Sequence, residues 1–349
     1  MLYDSSINSD IDLVYLRINE SNKAYMKRKR IVIFGIDCLD HYLIHKWDLK
    51  NYYALDYSGS HFAGSDLYTP VVWAKFLTGI DVTRYGFNSK RLSVIKRTKS
   101  VYHIRYFLTL FGKIIDKLSQ RNNRRIKNVS EGSLFDMRNV FSKFITLNNY
   151  NKLSLNERIV LKLLMKAAYC ERLPKKLLRR TFIYEAMNKG LRVQLIEFPP
   201  INDDIYSLIR NMLYFYIDTP PNERQIFLDY VWKTTELTLD ILSRRLNEYD
   251  LILWYTPYID IASHMFYKPK NLAYMTRLYT AYKRLGDRIK WLISEIRDST
   301  IILIISDHGY DPIRQDHSSY GYWSFNIEVA IKPHSILDFA PLIRTLLWQ

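Results

Sequence analysis

Three unbroken apolar runs, IVIFGI at 31–36, LILWYT at 251–256 and IILII at 301–305, constrain this chain more than any other feature of it. None alternates apolar with polar residues, so each wants burial on both faces, the condition of an interior strand in a parallel sheet covered by helices. Each run also stops at groups able to bind ions. Asp37 follows the first, Asp260 lies shortly after the second, and Ser306, Asp307, His308 and Gly309 follow the third directly.

The intervening segments read as helices and further strands. A short helix is expected at about 40–47 and a strand around YYALDYS. TPVVWAKFLTG then reads as a helix opening at Thr69, with Pro70 at its first position, and closing at Gly79. Later come the helix FIYEAMNKG closed by Gly190, the strand LRVQLIEF, a helix at about 221–247, another at about 270–297, the strand FNIEVAI and a last helix ILDFAPLIRTLL. This alternation predicts an α/β fold with a mostly parallel sheet, whose ligands sit beyond the carboxyl ends of the strands. It breaks between 88 and 180, read as a basic, mainly helical insertion or cap. Residues 1–26 read as an N-terminal extension, leaving 27–87 and 181–349 as the core.

Composition narrows the class. A chain of 349 residues with 48% hydrophobic side chains can bury one large core. Its two cysteines, Cys38 and Cys170, have no CxxC spacing, are read as buried small apolar residues and suit a reducing compartment. The start MLYDSSINSDIDLVYLRINE carries acids where a signal peptide carries basic residues, and no apolar run approaches the ~20 residues of a membrane span, so a cytoplasmic protein without a transmembrane segment is expected. The formal charge of +16 and pI near 9.5 suit a nucleic acid, an anionic membrane surface or a phosphate-bearing substrate. Basic residues recur from Lys90 to Lys127 against the single acid Asp116. Most of them read as solvated surface; nucleic-acid binding through this insertion, aided by the 28 tyrosines, is a competing class of function.

The strand ends carry the chemistry. Asp260 and His264 stand four apart, so in a helical turn both face one way, as paired metal ligands must. Asp307 and His308 are adjacent, with Gly309 beside them to let backbone approach an ion or phosphate; Asp37 and His317 complete six oxygen and nitrogen ligands, a set suited to Zn²⁺ or Mn²⁺ more than to Ca²⁺. Thr69 reads as a helix N-cap and, compatibly with that, as a nucleophile whose hydroxyl loses its proton beside a cation while the first N–H groups of the helix hold a phosphoryl oxygen. Taken singly, Asp37 and Asp260 are also ordinary turn formers, and His264 an ordinary core histidine. Asp40, His41, Asp56 and Asp316 read as surface or supporting residues.

In order, GID, TPVVWAKFLTG followed by YGF, a strand leading to D-x3-H, SDHG and a final His resemble the alkaline phosphatase superfamily, and within it the type I phosphodiesterase/nucleotide pyrophosphatase branch. The resemblance covers residues 31–87 and 181–345. It implies a three-layer α/β/α sandwich and two zinc ions, one held by Asp260, His264 and His317, the other by Asp37, Asp307 and His308, with Thr69 bound to the second as nucleophile of a phosphothreonine intermediate. Asn88 stands near the place of an asparagine that helps such enzymes hold the phosphate. The activity implied is metal-dependent hydrolysis of a phosphate-ester or nucleotide-like substrate; an inactive metal-binding relative is the alternative within the family.

Overall fold

In a computed structural model of the protein, which describes residues 29–53, 57–99, 171–296 and 299–348, the three apolar runs lie side by side. Strand β1 (Arg30–Ile36) pairs in parallel with β4 (Leu251–Thr256) on one side and β5 (Thr300–Ile305) on the other, so that Phe34 stands between Trp254 and Ile304. Every residue of β4 and β5 is buried. Strand β3 (Val193–Ile196) extends the parallel set beyond β4. On the other side β8 (Tyr320–Phe325) runs antiparallel to β5, and β2 (Tyr57–Phe62) antiparallel to β8. The six-stranded order is therefore β2-β8-β5-β1-β4-β3. A separate ribbon of β6 (Gly309–Asp311) and β7 (Asp316–Ser318) stands beside it.

Helices cover both faces because the strand side chains alternate. Tyr255 meets Trp73 on helix α3 (Thr69–Thr78), the ring centroids 5.7 Å apart; Trp254, one residue earlier, donates its indole N–H to Thr238 on α8 (Pro221–Arg245) at 3.0 Å. With α3 pack α6 (Phe182–Asn188) and α11 (Phe339–Leu347). With α8 pack α9 (Tyr258–Phe266) and, beyond it, α10 (Leu272–Ser294). Fully burying side chains of this size is worth roughly 1.5–3 kcal/mol each, which makes the two faces of the sheet the main source of cohesion. The shorter helices are α1 (His41–Lys46), α2 (Lys50–Tyr53), α4 (Ser89–Lys99) and α5 (Lys175–Leu178), and α7 (Asp204–Tyr216) lies at the β3 end.

The α/β class and mostly parallel sheet are those expected, with local differences. Tyr52 belongs to α2, not to a strand, because its hydroxyl donates to Tyr282 O at 2.9 Å and its ring is buried; the strand starts at Tyr57. The last strand ends at Phe325, where FNIEVAI was expected to begin one. There the Asn326 side chain accepts from Ile302 N at 2.7 Å and donates to Thr300 O at 2.9 Å, taking over the ladder and ending the pairing. Helix α7 and the β6–β7 ribbon were not anticipated. The core of the basic insertion, residues 100–170 with Cys170, lies outside the described residues, as do the N-terminal 28 and Asp56. Cys38 is buried, as expected. Among the described residues no helix is long and apolar enough to cross a membrane.

Candidate metal centre

The chain turns sharply where the central strands end. Asp37 N still donates to Thr256 O at 3.0 Å, but Cys38 adopts φ 60, a left-handed conformation that costs a non-glycine residue about 1–2 kcal/mol. The strain is held by neighbours from the β5 end: Cys38 N donates to Asp307 Oδ1 at 3.3 Å and Leu39 N to Ser306 Oγ at 2.8 Å. Asp40 next caps α1 by accepting from Leu43 N at 2.9 Å and also accepts from Tyr310 N at 3.3 Å, so it is a buried support rather than a surface group. Gly309 serves this packing: a Cβ on it would lie 2.7 Å from Ser318 Oγ and 2.9 Å from Asp40 Oδ2. Its small size admits the ribbon and Asp40, where the sequence suggested access for an ion or phosphate.

The six predicted ligands converge as two triads. Asp260 and His264, one turn apart on α9, meet His317 from the ribbon. Asp260 Oδ1 lies 3.3 Å from the Nε2 of each histidine, and the two Nε2 atoms lie 3.0 Å apart. In the second triad His308 Nε2 lies 3.4 Å from Asp37 Oδ1 and 3.4 Å from Asp307 Oδ2. The rings of His308 and His317 stack at 3.9 Å, which brings the triads together.

These separations and their chemistry fit divalent cations. Donors bound at ~2.0–2.1 Å to a tetrahedral zinc stand roughly 3.3–3.4 Å from one another. Among the described residues Asp37 Oδ1, Asp260 Oδ1, Asp307 Oδ2 and His308 Nε2 are all buried without a hydrogen-bond partner, and each orphaned atom costs about 1–3 kcal/mol unless something else satisfies it. The electrostatics agree. Burial and the neighbouring Asp260 push the Asp37 carboxyl up to about 6, and burial with Asp37 beside it raises Asp307 well above the ordinary range. Burial opposes charge on His317 too, but the Asp260 carboxylate in contact with it holds its pKa up at about 9, so coordination there would displace a proton from this imidazole. Burial and the nearby His317 drive His308 well below its usual value, leaving a neutral imidazole ready to coordinate.

Thr69 is the buried first residue of α3. The helix is capped by Tyr68, whose side chain makes no capping bond, and the Thr69 hydroxyl donates to Asp37 Oδ2 at 3.4 Å. The N-cap reading of its side chain therefore does not hold. The helix start is also poorer in free donors than a generic one: Pro70 has no N–H, and those of Val71 and Val72 go to Tyr68 O at 2.7 and 3.1 Å. Asn88, half-buried, accepts from Arg91 N at 2.9 Å; the adjacent Ser89 N donates to Asp66, which also accepts from Tyr68 N, so Asn88 is tied to the residue before Thr69. Asp316, exposed, accepts from His317 N at 2.8 Å, and His41 pairs with His45 at 2.9 Å.

Sequence reasoning missed the groups behind Asp37. Tyr255 OH donates to Asp37 Oδ2 at 2.5 Å and accepts from Arg210 Nη1 at 2.9 Å. A lone arginine inside the apolar helix DIYSLIRNMLYFY and a lone phenol in LILWYT were the available signals; Glu171, which joins them, gave none.

The profile of the family described as Type I phosphodiesterase / nucleotide pyrophosphatase matches residues 112–326, a span that holds Asp260, His264, Asp307, His308 and His317 and begins after Asp37 and Thr69. Among solved structures, that of the PH0037 protein from Pyrococcus horikoshii is similar at 8% identity and TM-score 0.41, over 92% of this chain and 97% of that one. No curated protein matches significantly.

Proposed function

The chain belongs to the type I phosphodiesterase/nucleotide pyrophosphatase family of the alkaline phosphatase superfamily and is a hydrolase of phosphate ester bonds, and from this premise we propose that Thr69 is its nucleophile and that two divalent ions complete its site. The family is metal-dependent. Asp260, His264 and His317 would hold one ion and Asp37, Asp307 and His308 the other, with zinc the ion that the nitrogen-and-oxygen set suits and manganese the second choice. Bound there, such ions supply positive charge against phosphoryl oxygens and lower the pKa of a hydroxyl or water beside them.

The protein's own groups account for the rest. Thr69 Oγ1 passes its proton to Asp37 Oδ2, the oxygen to which it now donates, and attacks phosphorus in line; the Oγ1–P bond forms as the P–O bond to the leaving group breaks, and the leaving oxygen takes up a proton. Water then attacks the phosphothreonine, the Oγ1–P bond breaks, the threonine hydroxyl regains a proton and the phosphomonoester leaves. Asn88 is the candidate to hold the phosphoryl group through its amide N–H₂. The substrate is a nucleotide-like phosphodiester, drawn by the positive field to which the 88–180 segment contributes. A cytoplasmic setting is part of the same reading.

The observation that carries the proposal is the meeting of one carboxylate with both partners: Asp37 Oδ2 takes the Thr69 hydroxyl while its unpartnered Oδ1 faces His308. Thr69→Ala is expected to cut hydrolysis of p-nitrophenyl phosphate and thymidine p-nitrophenyl ester by about three orders of magnitude or more, with metal content by elemental analysis unchanged. Undiminished turnover would remove Thr69 from the chemistry.

A further inference from the structure

Behind Asp37, on the side away from His308, lies a set of charged groups that the reaction as described does not use. Arg210 on α7 is only 14% exposed; its Nη2 donates to Asp203 and lies 3.6 Å from Glu171 Oε2, and its Nη1 donates to Tyr255 OH at 2.9 Å. Tyr255 passes the contact on to Asp37 Oδ2 at 2.5 Å. Glu171 accepts from Ser207 Oγ at 2.9 Å and from the hydroxyl of Tyr68, the residue that precedes Thr69. Because Thr69 donates to Asp37, the circuit Asp37–Tyr255–Arg210–Glu171–Tyr68–Thr69 closes on itself.

We propose that Arg210 is a positioning residue that acts on both halves of the catalytic pair: through Tyr255 it fixes which oxygen of Asp37 faces the ion, and through Glu171 and Tyr68 it fixes the helix start that presents Thr69. This rests on the reading of Asp37 and Thr69 given above. A phenol alone can swing its proton among acceptors. With an Arg210 N–H donating to its oxygen, the Tyr255 hydroxyl keeps one outlet, Asp37 Oδ2, so Oδ1 is left to face His308. Arg210 itself cannot turn, since the other arm of its planar fork is held by Asp203. A lysine has one point of charge and cannot serve Tyr255 and the carboxylates in the same way. Nor is stability an adequate reason for the cluster, because buried ion pairs are commonly no better than apolar side chains of the same volume.

The test uses the full-length chain stripped of metal and titrated with Zn²⁺ against a chromophoric chelator, alongside steady-state kinetics of the reloaded enzyme. Tyr255→Phe, nearly isosteric and safe for folding, and Arg210→Met are expected to weaken one of the two zinc equivalents about 10–100-fold while leaving the other at wild-type affinity. Both are expected to lower kcat by a similar factor with KM changed less than about twofold. Arg210→Lys should repeat the loss, because it keeps the charge and not the fork. Wild-type affinity for both equivalents in Tyr255→Phe, or full recovery in Arg210→Lys, overturns the proposal. The two readings fail separately: an active Thr69→Ala enzyme sinks the nucleophile, whereas a zinc equivalent lost in Tyr255→Phe still establishes that the brace positions Asp37.

Discussion

Glu197, the residue after β3, adopts a left-handed conformation, φ 50, and its carboxylate accepts from Ile205 N at 3.0 Å and Tyr206 N at 3.4 Å at the start of α7. Burial, with Asp203 nearby, pushes its pKa up to about 8 from 4.5. The folded state thus binds this proton more tightly than the unfolded chain, so the associated stability is complete below the unfolded pKa and is lost as pH rises through the folded one. Between about pH 5 and about pH 9 the wild type should lose on the order of 1–3 kcal/mol more than Glu197→Gln, whose amide keeps the acceptor without the charge; urea melts at the two pH values measure it, and equal losses would refute the assignment. At this scale the sequence was legible where a residue's neighbours along the chain explained it. Asp37, Asp307 and His308 stood out because ionisable groups follow directly on strands that exclude water. Arg210, Glu171 and Tyr255 did not, since their roles depend on partners brought together only by folding.

Helix α3 presents Thr69 at one end and stops at Gly79 at the other. Gly79 adopts φ 71, its N–H returns to Lys75 O at 2.8 Å, and a Cβ there would lie 3.0 Å from Ala340 Cβ and 3.1 Å from Pro341 Cδ on α11. Gly79→Ala is expected to cost about 1–2 kcal/mol from the left-handed backbone alone, more with the contact to α11, and to lower Tm by several degrees in a thermal melt. The stop of this helix was readable because only one residue type suits that conformation. Its start was misread by one position, because Thr followed by Pro suits both a cap and a first turn, and only the contact with Asp37 decides between them. Helix α7 was missed although Asp203 and Asp204 are cap-type residues, and in the structure Asp203 makes no side-chain cap bond, being engaged by Arg210.

For the molecule as a whole, parallel pairing around β1 followed from burial on both faces, whereas the reversed direction of β8 did not. It has a physical cause all the same: between Ile305 and Tyr320 the chain forms only the β6–β7 ribbon, and a parallel return would need a longer crossover, normally a helix. The candidate site depends on this assembly, because the residues proposed to hold ions span positions 37 to 317 and meet only once the sheet is formed. Cations that bind the folded form and not the unfolded chain stabilise it by mass action. Chelation should therefore lower Tm by several degrees, and Zn²⁺ added back should restore it, read by differential scanning fluorimetry; an unchanged Tm would mean that the triads hold no ion tightly.

The ribbon that carries His317 is two three-residue strands long, which among the described residues pair only with each other. So slight a hairpin has little independent stability and is held by its neighbours, Tyr310 N donating to Asp40 and the buried Tyr310 ring standing edge-on to His264 and stacked on Tyr267, so His317 is expected to be the least firmly fixed of the six side chains. The members of the Asp37 triad stand instead on strand ends laced together by the Cys38 and Leu39 amides. Occupancy of the two halves should accordingly be unequal in time. Stopped-flow release into excess chelator should resolve a fast and a slow phase of similar amplitude, and Ile313→Pro at the exposed tip of the ribbon should alter only the fast one.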